Sequence, residues 1–143
     1  MVRHRALAAL IDGVEKAATA YEAVESYLMQ TARVFTRKTR PPGCLVVLSA
    51  LHVSEDSETV RRELIQMRAE SVEGLRQRLQ QGVDAGEISP ATDVRALAKY
   101  YVTVQQGMSI QARDGASRKE LEQIARAALA SWNALTGAPE AIA

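Results

Sequence analysis

The sequence predicts an all-α fold of about six helices, and three observations carry that expectation. Apolar residues recur at steps of three and four along nearly the whole chain. The breaks between these runs are helix caps, Ser or Thr at the starts and Gly at the ends, rather than hairpin turns. The one run that could form a strand, Leu45-Val46-Val47-Leu48, has no alternating segment to pair with, and a lone strand is unattractive.

The first helix places Leu7, Leu10, Ile11, Val14 and Ala18 on one face. Thr19 with Glu22 is a capping box that opens a second helix, which buries Val24, Tyr27, Leu28, Thr31 and Phe35. It ends in the cations Arg37, Lys38 and Arg40 before Pro41-Pro42-Gly43 stops it. Cys44 to Val53 is apolar all round except for Ser49 and His52, which predicts a short central helix buried on all sides. In the long helix that follows, Glu55, Asp56 and Glu58 favour the positive N-terminal end, and Val60, Leu64, Met67, Ser71, Leu75 and Leu79 form the buried stripe. Gly86 closes it. Ser89-Pro90 or Thr92 caps a fifth helix that runs to Arg113, where Asp114-Gly115 breaks it. Ser117 with Glu120 opens a sixth, which stops at Gly137 ahead of Pro139, leaving 137–143 as a frayed tail.

Length and composition bound the rest. The 143 residues form one domain, 1–143, able to bury an ordinary core. With 47% hydrophobic and 24% charged residues the chain is globular rather than disordered. A formal charge of +1 argues against phosphate-backbone binding by this chain. Cys44 is the single cysteine, so no internal disulfide forms and a reducing compartment is expected. No apolar run approaches ~18 residues and no leader-like segment opens the chain. The expectation is a cytoplasmic protein with no membrane partner.

The last two helices carry more apolar surface than one chain needs. On the fifth, Leu97, Tyr101, Val104, Met108 and Gln111 form one seam, while Ala96, Tyr100, Thr103, Gly107 and Ile110 form another about 100° round the helix. On the sixth, Leu121, Ala125, Ala128, Trp132 and Leu135 are followed by Ile124, Ala127, Ser131 and Ala134. The second seams predict a homodimer in which two helices from each chain form a four-helix bundle. Alternatively, both seams face different neighbours within one chain.

No catalytic set converges, so no enzyme is expected. His4 and His52 stand in no metal motif, and Cys44 and His52 lie about 80° off a common helix face. Neither a metal nor another cofactor is expected, and no Gly-rich phosphate loop is present. The pairs Arg61-Arg62 and Arg76/Arg78 read as a solvated helix face. What remains is a set of polar residues on apolar faces: Tyr27, Thr31, Ser49, His52, Ser71, Tyr100, Tyr101 and Gln105. They are either hydrogen-bonded core residues or the polar groups of a ligand pocket, with His52 the foremost single candidate.

The segments Pro41-Pro42-Gly43-Cys44-Leu45-Val46-Val47-Leu48-Ser49-Ala50 and Gln106-Gly107-Met108-Ser109-Ile110-Gln111-Ala112-Arg113-Asp114-Gly115-Ala116-Ser117 resemble the C-terminal half of TetR-family transcriptional repressors. The likeness runs from about Leu7 to Leu135. It implies an effector-binding helical domain that dimerises through its last two helices, in a protein whose DNA is read by an N-terminal helix-turn-helix. Only Met1 to Ala6 stand ahead of Leu7, so that reading head is expected to be missing from this chain, which is either a fragment or a headless relative. Combined with the polar cluster, the resemblance implies a small hydrophobic or amphipathic effector. Its anchors would come from Tyr27, His52, Tyr100 and Gln105, with Phe35, Leu51, Met67 and Tyr101 as walls. The competing reading is a helical homodimeric interaction protein with no small-molecule site.

Overall fold

The computed structural model describes residues 10–38, 43 and 58–137, and every element among them is helical. The helices are α1 over residues 10–16, α2 (Ala20–Phe35), α3 (Glu58–Asp84), α4 (Val94–Arg113), α5 (Arg118–Leu129) and α6 (Trp132–Thr136). The expected central helix over 44–53, with Cys44, Ser49, Leu51 and His52, lies outside the described residues, as do His4, Leu7, Arg40, Glu55, Asp56 and the tail beyond 137.

Helix α2 is the hub. The Thr19 hydroxyl accepts from the Glu22 N–H at 3.1 Å, the expected cap. Val24, Tyr27, Leu28, Thr31 and Phe35 are all buried, together with Ala20, Ala23, Ala32 and Val34. That breadth lets α2 pack against α3, α4 and α5 at once. Its end is closed by a residue just downstream: the Gly43 N–H donates to the Phe35 carbonyl at 3.1 Å, with Gly43 at φ 89°.

Helix α1 returns along α2, and Gly13 sets the distance. A Cβ at Gly13 would collide with Ser26 Oγ and Gln30 Nε2 of α2. Leu10 is buried and Val14 packs against the core, whereas Ile11 and Ala18, expected on the same face, are exposed. Two side chains from distant sequence hold the α1–α2 junction. Arg78 donates to the carbonyls of Val14 (3.3 Å) and Ala17 (3.1 Å) at the end of α1. The Glu87 carboxylate accepts from the Ala20 N–H at 3.0 Å at the start of α2. Each charge meets the helix end whose dipole it complements.

Helices α3 and α4 lie along one another. On α3 the predicted stripe is buried at Leu64, Leu75 and Leu79 and half-buried at Met67 and Ser71, while Val60 is exposed because residues 58–63 are exposed throughout. The end of α3 is a Schellman motif at Gly86, with Glu87 N–H to Gly82 carbonyl at 2.8 Å and Gly86 N–H to Val83 carbonyl at 3.0 Å. The cap of α4 is Asp93, whose carboxylate accepts from the Ala96 N–H at 3.0 Å. The two candidates read from sequence are engaged elsewhere: the Ser89 N–H (2.9 Å) and the Thr92 hydroxyl (3.3 Å) both donate to the Thr136 carbonyl. Asp114-Gly115 ends α4 as expected.

Ser117 caps α5 through the Glu120 N–H at 3.1 Å, but the helix does not run through to Gly137. It stops at Leu129, and α6 resumes at Trp132. The Ser131 hydroxyl donates to the Ala128 carbonyl at 2.8 Å, and the Tyr101 hydroxyl reaches the same oxygen at 3.4 Å. Local side-chain bonding of this kind competes with the helical ladder. The break turns Trp132 into the core, where its ring lies 6.1 Å from Tyr101 and 5.7 Å from Tyr21. Among the described residues, no helix is long and apolar enough to cross a membrane, and no group of three or more His, Cys, Asp or Glu side chains could hold a metal ion.

Candidate ligand-binding site

Four helices wall a cleft of about 500 Å³. Leu10, Ile11, Val14 and Glu15 come from α1, and Tyr27 comes from α2. Helix α3 supplies Met67, Glu70, Ser71, Gly74, Leu75, Gln77, Arg78 and Gln81, and α4 supplies Gln105. Such a volume lies within the range of small-molecule pockets, and the mixture of apolar wall and few polar groups is what orients an organic ligand.

The polar groups differ in what they have left to offer. Arg78 is engaged with the α1 carbonyls, and the Ser71 hydroxyl donates to the Met67 carbonyl at 3.2 Å. Glu70 accepts a long bond from Gln66 at 3.4 Å, and Glu15 has no ion pair among the described residues. Gln105 is only 8% exposed, and its amide has no hydrogen-bond partner there.

Of the residues expected to surround a ligand, Tyr27, Met67 and Gln105 line this cleft. Leu51 and His52 lie outside the described residues. Phe35 is buried in the core near the far end of α2 and does not line the cleft. Tyr100 and Tyr101 belong to another region: their rings are 4.9 Å apart, and the Tyr100 and Ser131 hydroxyls stand 3.5 Å from each other. Tyr101 is fully buried there, and burial pushes its phenol up to about 12, against a partly opposing bond with Ser131. Gln105 and Tyr101 lie four residues apart on one side of α4 yet meet different neighbours: Gln105 borders the cleft, and Tyr101 lies against Ala128 and Trp132 of α5 and α6.

Reading by residue type missed the α1 wall, together with Glu70, Gly74, Arg78 and Gln81. The α3 members were within reach of spacing: Met67, Ser71, Gly74, Arg78 and Gln81 follow steps of four and three, one face of the helix already marked by Met67 and Ser71.

A second set of predicted residues is exposed along α4, α5 and α6. Leu97, Tyr101 and Met108 of the first α4 seam are buried, with Val104 half-buried and Gln111 exposed. In the second seam, Ala96, Tyr100, Thr103, Gly107 and Ile110 are all exposed. On α5 and α6, Ile124, Ala127, Ala134 and Leu135 are exposed and Ser131 is half-buried. Tyr100 (40%), Ile110 (37%), Ile124 (37%) and Leu135 (44%) make this face apolar in its larger side chains.

Comparison with known proteins places this architecture. Residues 20–129 match the family described as "Tetracyclin repressor-like, C-terminal domain". Over 110 residues the chain is 38% identical to the HTH-type transcriptional repressor ComR of Escherichia coli, covering 77% of this chain and 52% of that protein. It superposes with a TM-score of 0.82 on a cysteine mutant of the TetR family transcriptional regulator CifR complexed with 26bp double-strand operator DNA. That match has 38% identity and covers 86% of this chain and 64% of that one. A second CifR cysteine mutant on operator DNA gives 37% identity, the same coverages and the same score. The chain thus spans about half the length of the curated relative and under two thirds of the solved ones. On the match across α2 to α5, this chain belongs to the tetracyclin repressor-like C-terminal domain family.

Proposed function

We propose that this chain is the effector-sensing and dimerising part of a cytoplasmic TetR-type transcriptional repressor. Its effector is a small hydrophobic or amphipathic molecule held in the cleft between α1, α2, α3 and α4, and no metal or other cofactor takes part. The observation that carries this reading is Arg78: one side chain both lines the cleft and holds the last carbonyls of α1. A ligand lodged against α3 therefore favours one placement of α1 over another, a population shift requiring only differential affinity for the two placements. Typical couplings of ~1 to 3 kcal/mol suffice to change operator occupancy. In the whole protein the position of α1 would set the spacing of two DNA-reading heads, and the ligand would release DNA.

The exposed face of α4, α5 and α6 serves as the homodimer surface in this reading, through Ala96, Thr103, Gly107, Ile110, Ile124, Ala127, Ser131 and Ala134. DNA is bound through another part of the protein, in keeping with the net charge of +1. Native mass spectrometry of freshly purified protein, followed by thermal-shift screening of small organic molecules, tests the proposal. Stabilising hits that lose their effect in Met67→Ala are expected. A chain that carries no ligand and answers to none of the library overturns the sensing role.

A further inference from the structure

The buried polar side chains among the described residues are Thr31, Gln105, Ser109 and Thr136. Thr31 donates to the Tyr27 carbonyl at 2.7 Å and Thr136 to the Trp132 carbonyl at 2.8 Å, and Ser109 is also engaged. Gln105 alone in this set has neither donor nor acceptor satisfied, and it borders the cleft. The Gln105 side chain is 8% exposed, and its amide meets the cleft with no protein partner among the described residues, so it is free to pair with a ligand's polar atom.

Resting on the cleft as the effector site, we infer that Gln105 is the specificity-determining anchor for an uncharged amphiphile. Such a molecule carries one hydroxyl, carbonyl or amide group on a hydrocarbon body. A carboxamide offers both a donor and an acceptor, so it pairs with a neutral group of either kind without leaving a charge uncompensated. The body lies against Leu10, Val14, Met67 and Leu75, the apolar walls contributed by α1 and α3. Anions gain no direct hydrogen-bonding partner from Arg78, the cleft's one cation among the described residues, because its N–H groups are held by the α1 carbonyls, and a carboxylate would be stripped of water against the apolar wall. Cations gain little, because Glu15 and Glu70, which line the cleft, are exposed and well solvated.

Three probes with the same hydrocarbon chain separate the possibilities: octan-1-ol, octanoate and octylammonium, titrated calorimetrically into the wild-type chain and Gln105→Leu. Octan-1-ol is expected to bind at least tenfold more tightly than octanoate and no more weakly than octylammonium. Gln105→Leu should lower the octan-1-ol affinity about tenfold, since it removes the amide that pairs with the hydroxyl without removing volume. An unchanged octan-1-ol affinity in Gln105→Leu, or tighter binding of either ion, overturns the assignment. Nile red separately tests the cleft itself. Gly74→Trp should abolish dye binding, because Gly74 borders the cleft and has no atom within 4 Å of a built Cβ. Dye binding that survives Gly74→Trp defeats the cleft as a binding site, whereas its loss together with a silent Gln105→Leu defeats the anchor alone.

Discussion

The Arg78 guanidinium donates to the Ala17 carbonyl at 3.1 Å, joining two residues 61 positions apart and tying the end of α1 to the C-terminal part of α3. A hydrogen bond from a charged donor contributes about 1.5 to 3 kcal/mol where it is partly shielded from water. Arg78→Met keeps the aliphatic stem and deletes the bonds to both Val14 and Ala17. Amide hydrogen exchange over residues 10–17 should accelerate about tenfold with little change in α4 or α5. Unaltered exchange in that segment would show that packing alone holds α1.

Gly82 makes the opposite kind of contact, one of closeness. In an exposed helix interior, glycine to alanine gains up to about 1 kcal/mol. At Gly82 a Cβ would stand 2.7 Å from the Ala20 Cβ and 3.0 Å from Ile88 Cδ1, both fully or nearly fully buried. Gly82→Ala should therefore destabilise the chain, by about 1 to 3 kcal/mol as an overpacked site. Chemical denaturation measures this, and a gain in stability would contradict the packing of α3 on α2.

Gly107 offers a clean test of self-association because it is empty-sided in a single chain, with nothing within 4 Å of a built Cβ. Gly107→Leu leaves the fold of one chain undisturbed but would hold two closely packed α4 helices apart. Sedimentation at micromolar concentration should show a wild-type dimer and a Gly107→Leu monomer of similar helicity. A wild-type monomer, or a variant that remains dimeric with unchanged stability, contradicts the proposed interface.

Tyr101 gives a pH signature. Its phenol is raised from 10.0 to about 12, chiefly by burial. Between those values the unfolded chain has lost the proton while the folded chain keeps it, so stability falls as pH rises. The full contribution is present below pH 10 and is lost progressively toward pH 12. A tenfold difference in proton affinity between the folded and unfolded chain corresponds to about 1.4 kcal/mol. Urea midpoints measured across this interval should decline in the wild type and flatten in Tyr101→Phe, and equal slopes would show that Tyr101 ionises in the folded chain.

What the sequence determined was local. The side-chain N-caps at Thr19 and Ser117, the stops at Gly86 and Gly115 and the buried face of α2 depend on residues within a few positions of one another, and all stand where spacing placed them. The apolar periodicity was sufficient for an all-helical fold because each face answers to one helix at a time. What depended on contacts far apart in sequence was decided by the tertiary structure. Asp93 rather than Thr92 caps α4 because the Thr136 carbonyl takes the Thr92 hydroxyl. The last helix breaks at Ala130 and Ser131, where Tyr101 also reaches the Ala128 carbonyl. Tyr100 and Tyr101, polar residues on apolar faces like Gln105, meet Ser131 and Trp132 instead of the cleft, a choice that depends on where α5 and α6 pack along α4. Pattern fixes the face a residue occupies on its own helix, and only packing determines which neighbour that face meets.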